Sequence, residues 1–349
     1  MKQPVIRCRQ FEPELQEMLR TVDYDHLFIL MDQHTGRYCL PLLEPVAEIQ
    51  SAKRFIIKAG DKHKNIESLA EVWKFLSDNQ ATRKSLLINL GGGMVTDLGG
   101  FAAATFKRGI RFINIPTSLL GAVDAAVGGK TGINFNGLKN ETGTFTLAEA
   151  VLIETEFLKT LDRSNFLSGY AEMLKHALLS AKQELFELLA FDMDTIDYER
   201  LKDLLFQSVM IKQRIVEDDP LEHGIRKALN LGHTFGHAFE SLSYEMNRPV
   251  LHGYAVAWGL VCELYLSCIR FNFDTAILLK VLYFVKEQYD QFLFDCNQYD
   301  RLYELMQHDK KNETGYVNFT LLKDVGDIRI NQSASRTEIE EVLDFFREN

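Results

Sequence analysis

A chain of 349 residues, 46% hydrophobic and 25% charged, is long enough for two globular domains with ordinary cores. Its formal net charge of -10 argues against nucleic acid as a partner, because that binding requires a concentrated positive surface. The five cysteines form no CxxC pair, which disfavours a disulfide framework and favours a cytoplasmic location. Neither a signal peptide nor a run of about 18 apolar residues is recognisable, so no membrane span is expected.

The first half of the chain alternates short β-rich runs with helical stretches, which is typical of a parallel sheet covered by helices. The predicted strands lie in HLFILMD, RFIIKAG, SLLINLGGG and RFINIPTS. Open α/β sheets bind ligands at the carboxyl ends of such strands. Between the strands, IESLAEVWKFLSDNQ has the apolar spacing of a helix, and TDLGGFAAATF is expected to begin a helix at Thr96 and Asp97.

The stretch SLLINLGGGMVTD predicts a strand, a glycine turn and a helix start, where backbone N–H groups can approach a phosphate. It is not GxGxxG, and a tight turn before a capped helix explains this motif equally well. Neighbouring strand ends add the hydroxyl groups of Thr117 and Ser118 and the carboxylate of Asp32, an acceptor for ribose hydroxyls. Together these features favour a dinucleotide site.

The stretch GGKTGINFNGLKN is expected to be a glycine-rich loop in which Lys130 and Lys139 offer positive charge to anionic oxygens. The small apolar residues of VDAAVGGK suggest that Lys130 is buried. The alternative is a solvated loop with surface lysines. Arg108, in FKRGIRF, raises the same question with weaker support.

From about residue 155, long amphipathic helical patterns replace the strands. These patterns are SGYAEMLKHALLSAKQELFELLAF, YERLKDLLFQSVMIKQRIVEDD, LNLGHTFGHAFESLSYEM and HGYAVAWGLVCELYLSCIRF. The alternating stretch GYVNFTLLKDVGDIRINQ predicts one small hairpin near the C-terminus. We therefore expect an α/β domain of residues 1–158 and a helical domain of residues 159–349, packed closely around a cleft.

Three histidines of the second half suggest a metal site. His233 and His237 are four residues apart on a helical pattern, which places them on one face, and a glycine precedes each. His252 follows in PVLHG, at the start of another helix. Histidines with a carboxylate suit a divalent ion such as zinc. The motif is not HExxH, so a metalloprotease would lack its general base.

The spacing alone does not choose the carboxylate of this site. Glu240 lies one turn beyond His237, whereas Glu172 lies in SGYAEMLKH with Lys175 three residues later. Glu172 and Lys175 are equally well explained as an ordinary ion pair on a helix surface.

The motifs GGGMVTDLGGFAAATFKRGIRFINIPTSLLGAVDAAVGGKTGINFNGLKN, SGYAEMLKH, NLGHTFGHAFE and LHG together resemble the 3-dehydroquinate synthase family, one of the sugar-phosphate cyclases. The resemblance covers nearly the whole chain. It implies an α/β, Rossmann-like N-terminal domain that binds NAD and an all-α C-terminal domain that binds zinc or cobalt. The implied metal ligands are Glu172, His233 and His252, and His237 is left to bind substrate or transfer protons.

The resemblance also assigns residues to the two small molecules. Those assigned to NAD are Asp32, Asp61, Lys64, Gly93, Met94, Val95, Thr96, Asp97, Thr117, Ser118, Lys130, Lys139, Phe157, Leu158, Lys159 and Thr160. Those assigned to substrate and catalysis are Asp124, Lys130, Asn140, Lys175, Lys212, Arg226, Asn230, His237 and one of Lys310 and Lys311. Arg108 would act across the interface of a homodimer. Asp61 departs from the family, in which glutamate is usual.

The implied reaction converts 3-deoxy-D-arabino-heptulosonate 7-phosphate into 3-dehydroquinate and phosphate, in the shikimate pathway of aromatic amino acid biosynthesis. Transient oxidation by NAD, phosphate elimination, reduction and an intramolecular aldol closure would follow one another. An acidic protein would then need lysines focused on two anionic ligands. The alternatives are a related sugar-phosphate cyclase, a metal-dependent polyol dehydrogenase, and a non-catalytic protein that senses NAD or a sugar phosphate.

Overall fold

A computed structural model describes residues 3–136, 138–307 and 317–349. The chain divides into two compact units. The first unit comprises Met1–Asp162 and Ile196–Gln213, and the second comprises Arg163–Thr195 and Arg214–Asn349. The functional domains expected at residues 1–158 and 159–349 stay a prediction.

The secondary structure of the described residues is as follows. The strands are β1 Val5–Arg7, β2 Leu27–Asp32, β3 Lys53–Ile57, β4 Leu86–Gly91, β5 Arg111–Pro116, β6 Lys130–Phe135, β7 Leu138–Phe145, β8 Ala150–Ile153, β9 Asn318–Asp324 and β10 Asp327–Ser333. The α-helices are α1 Phe11–Thr21, α2 Gln33–Tyr38, α3 Ala47–Gln50, α4 Ile66–Asp78, α5 Gly93–Thr105, α6 Arg163–Leu178, α7 Lys182–Leu189, α8 Tyr198–Asp218, α9 His233–Glu245, α10 His252–Phe271, α11 Thr275–Gln288, α12 Tyr299–Gln307 and α13 Arg336–Glu348.

The first unit is built on a parallel sheet with the strand order β1-β8-β5-β4-β2-β3. The chain leaves β2 toward β3 on one side and leaves β4 toward β5 on the other. The order therefore reverses between β2 and β4, whose carboxyl ends carry Asp32 and Gly91. Ligands of open α/β sheets bind at such a reversal.

Alternate residues of the central strands bury both faces of this sheet. Ile29 and Ile88 pack with Leu15 of α1 on one face. Phe28 on the other face packs with Leu98 of α5. Strands buried on both faces read as continuous apolar runs, which is why HLFILMD and SLLINLGGG predicted them.

Helix α5 starts earlier than expected. It begins at Gly93, because the N–H groups of Val95 and Thr96 both bond to the carbonyl of Gly92. The expected start at Thr96 and Asp97 is wrong by three residues. The glycine turn itself therefore leads directly into the helix N-terminus.

The stretch GGKTGINFNGLKN is not the expected loop, since β6 and β7 pair in antiparallel register. Thr131 packs against α5, where a Cβ at Gly100 would lie 2.6 Å from its Cγ2. Lys130 is exposed, so the expected burial of Lys130 is wrong. The buried run ends at Gly129, and strand alternation turns the next side chain away from α5.

In its described residues, the second unit is helical with one antiparallel hairpin of β9 and β10. The stretch SGYAEMLKHALLSAKQELFELLAF forms two helices, α6 and α7, and the predicted hairpin near the C-terminus is present. Within the described residues, α10 is the one helix long and apolar enough to cross a membrane. Its apolar window is 67% buried, as in the core helix of a globular unit, so it is weak evidence for a span.

Candidate metal and nucleotide sites

Helices α9 and α10 approach each other closely because glycines line their contact. A Cβ at Gly236 would lie 2.9 Å from the carbonyl oxygen of Ala255. A Cβ at Gly259 would overlap the carbonyl oxygen of Gly232. The glycine before each histidine in GHTFGH thus lets α9 pack against α10.

Helices α6 and α10 are joined in a similar way at Gly253. A Cβ at Gly253 would overlap the carbonyl oxygen of Ser168. The Gly253 N–H donates to Ser168 Oγ at 3.1 Å. Since Glu172 lies one turn along α6 and His252 precedes Gly253, this contact sets the distance between their side chains.

The result is a cluster of Glu172, His233 and His252. The Nε2 atoms of His233 and His252 lie 3.6 Å and 3.5 Å from Glu172 Oε1. One ligand atom from each residue lies within 4.8 Å of the other two. His237 is close by, with its ring centroid 5.3 Å from that of His233 and 5.9 Å from that of His252.

Each histidine of the cluster is held through its other ring nitrogen. His233 Nδ1 lies 3.0 Å from the carbonyl oxygen of Leu231. His252 Nδ1 lies 3.0 Å from Glu240 Oε2. Outer partners of this kind fix the tautomer and orientation of metal-binding histidines. Glu240, the carboxylate left open by the spacing, therefore contacts His252 on the side away from Glu172.

Glu172 and Lys175 are both buried, with exposed fractions of 0% and 1%, so a helix-surface ion pair is the wrong interpretation. Burial opposes ionisation of Glu172, but Lys175 and His252 hold the pKa of its carboxyl well below the usual range. Burial lowers the pKa of His252, but Glu172 and Glu240 outweigh it and raise that pKa to about 9.

The cluster fits a divalent metal ion. Among the residues that the structure describes, the Glu172 carboxylate has no hydrogen bond of ordinary geometry apart from its ion pair with Lys175, although both oxygens are buried. An oriented pair of imidazoles beside such a carboxylate is a donor set that zinc accepts in catalytic sites with an open fourth position.

In the first unit, the glycine turn after β4 packs tightly against the segment that follows β5. A Cβ at Gly92 would lie 2.9 Å from Ser118 Oγ, and one at Gly121 would lie 3.0 Å from the Gly93 nitrogen. Within the described part of the chain, no side chain caps α5 at Gly92. An uncapped helix N-terminus at the sheet reversal fits the pyrophosphate of a dinucleotide.

Two of the polar strand ends also have structural roles. Asp32 Oδ1 accepts from the N–H groups of His34 and Thr35 at 2.8 Å and 2.9 Å, which caps α2. The N–H of Thr117 donates to the carbonyl of Gly91 at 3.0 Å. These bonds hold both side chains at the carboxyl edge of the sheet.

A charged cluster lies beside the start of α5. Buried Lys64 donates to Asp97 and to Asn140 Oδ1. Buried Lys212 donates to Asp124. Burial raises the pKa of Asp97 in spite of Lys64, and the charge of Asp124 adds to the rise. The ion pairs Lys64–Asp97 and Lys212–Asp124 therefore lie close to the N-terminus of α5, where the pyrophosphate is proposed to bind.

The chain matches known proteins along its length. Family models described as 3-dehydroquinate synthase N-terminal and C-terminal match residues 54–168 and 169–312. A 3-dehydroquinate synthase from Parabacteroides distasonis is 58% identical over 348 residues, which cover 100% of this chain and 99% of the relative. The chain belongs to the 3-dehydroquinate synthase family. A further 3-dehydroquinate synthase, from Staphylococcus aureus, is 35% identical and covers 93% of this chain and 92% of its own.

Solved structures confirm the predicted fold class. A 2-epi-5-epi-valiolone synthase from Streptomyces hygroscopicus, with NAD+ and Zn2+ bound, has a TM-score of 0.84 at 23% identity and covers 100% of this chain and 97% of its own. A 2-deoxy-scyllo-inosose synthase complexed with carbaglucose-6-phosphate, NAD+ and Co2+ has a TM-score of 0.80 at 20% identity, covering 96% and 94%. At such identities the likeness concerns the fold alone.

The remaining NAD candidates of this 3-dehydroquinate synthase family member differ in their exposure to solvent. Phe157 and Leu158 are core residues, so only their backbone is available to a ligand. Lys159 is exposed and pairs with Glu156 at 2.6 Å. Val95 and Thr96 are buried. The remaining candidates are partly or fully exposed, namely Asp61, Gly93, Met94, Lys130, Lys139 and Thr160.

Of the substrate candidates, Arg226 and Asn230 lie just before α9. Arg226 is buried, and its N–H donates to Asp219 Oδ2 at 3.0 Å. Asn230 Nδ2 donates to Glu222 Oε1 at 3.4 Å. Glu222 is not predicted from the sequence, because no spacing rule reveals its left-handed backbone (φ 63°) or this contact.

Arg108, Lys310 and Lys311 are the remaining candidates. Arg108 is exposed and has a left-handed backbone (φ 68°). Lys310 and Lys311 lie outside the described residues. The roles of all three stay predictions.

Proposed function

We propose that the chain converts 3-deoxy-D-arabino-heptulosonate 7-phosphate into 3-dehydroquinate and phosphate. The observation that carries this proposal is the buried Glu172 facing two oriented histidines, in a chain 58% identical to a 3-dehydroquinate synthase over its full length. A protein that only senses NAD or a sugar phosphate has no need of a preformed metal-binding cluster. The intact cluster therefore favours an enzyme.

Glu172, His233 and His252 would hold zinc or cobalt, which supplies a Lewis acid beside the reacting alcohol. His237 adjoins two of these ligands, which suits hydrogen bonding to substrate or transfer of a proton. Lys175 carries a buried positive charge next to Glu172 and would stabilise negative charge that develops on substrate oxygens.

Residues of the first unit would hold NAD, which would supply a reversible hydride acceptor. The uncapped start of α5 would bind the pyrophosphate, and Asp32 would accept from ribose hydroxyls. Asn140 and Asp124 are each oriented by a buried lysine, which suits a role in substrate binding.

The phosphate and carboxylate of the substrate require cations. Lys212 and Arg226 are buried, so their charges act in a low-dielectric setting where attraction to an anion is strong. A polyol has neither phosphate nor carboxylate. These buried cations therefore favour a cyclase over the alternative polyol dehydrogenase.

Phosphate release tests this proposal. The chain is incubated with 3-deoxy-D-arabino-heptulosonate 7-phosphate, catalytic NAD and zinc or cobalt, and phosphate and NADH absorbance are followed together. Stoichiometric phosphate without net NADH is expected, and His252→Ala should release none. NADH accumulation on a polyol would indicate a dehydrogenase, and phosphate from a different sugar phosphate only would indicate a related cyclase.

We also propose a homodimer in the cytoplasm. Exposed Arg108 would reach the site of the partner subunit, and the five free cysteines suit a reducing compartment. Light scattering after size exclusion tests the dimer. Mixing inactive Arg108→Ala with inactive His237→Ala should restore part of the activity if Arg108 acts across the interface.

A further inference from the structure

Glu263 of α10 is a buried carboxylate that the proposed reaction does not use. Its exposed fraction is 0%. Its Oε2 accepts from the N–H of Gly232 at 2.7 Å, and its Oε1 accepts from the N–H of Thr234 at 3.0 Å. These two N–H groups belong to the residues directly before and after His233. One carboxylate thus holds the backbone on both sides of a proposed metal ligand.

Helix α9 has no cap from its own segment, which explains why a neighbouring helix supplies one. Its N-cap residue is Gly232, which has a left-handed backbone (φ 79°) and no side chain. The first N–H groups of a helix need acceptors from outside the helix. A carboxylate suits this position, because it makes charge-assisted hydrogen bonds and the helix N-terminus favours negative charge.

The same segment orients the His233 ring. The carbonyl that contacts His233 Nδ1 belongs to Leu231, the residue before Gly232. Holding the Gly232 N–H therefore holds the peptide unit whose oxygen fixes the ring. With Nδ1 fixed, Nε2 is left 3.6 Å from Glu172 Oε1.

Packing alone does not explain a charge at this position. A buried carboxylate is unfavourable unless its oxygens are hydrogen-bonded, and an apolar side chain would fill the same volume. Helix α10 is itself anchored here, since Ser267 Oγ donates to the carbonyl of Glu263 at 2.7 Å and accepts from the N–H of Leu322 at 3.0 Å. Glu263 therefore ties α9 to a fixed point of the unit.

We propose that Glu263 is a positioning residue that presets His233 for metal binding. It acts through the backbone of residues 231–234 and does not touch the substrate. The proposal rests on the metal site of the proposed function, so its test reads metal affinity directly.

The test is Glu263→Gln in the full chain, stripped of metal and titrated with Zn2+ in competition with a chromophoric chelator. The amide nitrogen of glutamine cannot accept a hydrogen bond, so one of the two N–H groups loses its partner. The Kd for zinc should rise about tenfold or more, as is usual when an outer partner of a metal site is lost. Excess zinc should restore turnover, which would not happen if the variant were merely misfolded.

The matched control is Glu338→Gln. Glu338 also holds a helix N-terminus in the second unit, where its Oε2 accepts from the N–H of Ser335 at 2.8 Å. It contacts none of the three proposed ligands, so its zinc Kd should equal that of the parent chain. An unchanged Kd in folded Glu263→Gln overturns the proposal. A parent chain that binds no zinc overturns the metal site as well, which separates the two failures.

A second measurement applies if Glu263→Gln does not fold. Amide hydrogen exchange is followed in the unmodified, metal-free chain. The N–H groups of Gly232 and Thr234 should exchange slowly, because the carboxylate holds them before metal arrives. Fast exchange at both positions would overturn the proposal.

Discussion

His252 lies between two carboxylates, and each has a different task. Glu172 Oε1 lies 3.5 Å from Nε2, on the side of the proposed metal. Glu240 Oε2 lies 3.0 Å from Nδ1, on the opposite side of the ring. If Glu240 serves to orient the ring, an acceptor atom at its position matters more than its charge.

Two variants of Glu240 separate these effects. Glu240→Gln keeps a carbonyl oxygen for Nδ1, whereas Glu240→Ala keeps no acceptor. Both remove the same charge, so the difference between them reports orientation alone. We expect zinc to bind Glu240→Ala about tenfold more weakly than Glu240→Gln, in line with the usual importance of outer partners. Equal zinc Kd values in competition titrations would contradict an orienting role.

At the scale of elements, the contact of α9 with α10 decides whether the cluster forms. Gly259→Ala would place a methyl group on the carbonyl oxygen of Gly232, so α9 must move away. We expect the variant to lose zinc binding in equilibrium dialysis. Gly36→Ala is the matched control, because its Cβ would meet the ends of side chains, with Met31 Sδ at 3.2 Å and Ile56 Cδ1 at 3.5 Å, and no backbone atom is among its three nearest neighbours. Full zinc binding by Gly259→Ala would show that this contact does not position the ligands.

Near the start of α5, the Asp97 carboxylate depends on the positive charge of Lys64. Lys64→Met leaves the Asp97 carboxylate without its cation, and breaking a buried ion pair on one side costs about 3 kcal/mol. Burial already raises the pKa of Asp97, so its ionised form opposes folding and its protonated form does not. The loss of stability should therefore be largest at neutral pH and shrink as the pH falls.

Thermal unfolding midpoints at pH 7.5 and pH 5 check this expectation. Exposed Lys62, in the same turn, provides the control, since Lys62→Met should change stability by less than about 0.5 kcal/mol. A Lys64→Met midpoint equal to that of the parent at both pH values would mean that the ion pair contributes nothing.

The elements show which features a sequence can predict. The i, i+4 spacing of His233 and His237 placed them on one face because helical periodicity is local. The pairing of GGKTGINFNGLKN was missed, because its glycines suggest a loop while the burial of Thr131 depends on α5. Glu240 contacts His252, 12 positions away, and Glu263 contacts Gly232, 31 positions away. These contacts arise from helix packing, which no local sequence pattern contains.

Across the whole molecule, buried cations coincide with the predicted functional residues. In the described part of the chain, the buried lysines and arginines are Lys64, Lys175, Lys202, Lys212 and Arg226. All except Lys202 were assigned to NAD or substrate, and Lys202 pairs with Glu154 at 2.8 Å. Although the net charge of the chain is -10, its buried cationic side chains are thus mainly residues that are proposed to bind anionic ligands.

The proposed metal ligands all belong to the second unit, and the proposed NAD residues all belong to the first. A ligand stabilises the state that binds it, by about 2.7 kcal/mol at 100 times its Kd. Zinc should therefore slow amide exchange about 100-fold in α6, α9 and the start of α10, while NAD should slow it around Gly93–Thr105. Mass-spectrometric exchange with each ligand alone measures both effects. Glu172→Gln should lose the zinc effect and keep the NAD effect, and zinc protection that appears first around α5 would contradict the assignment.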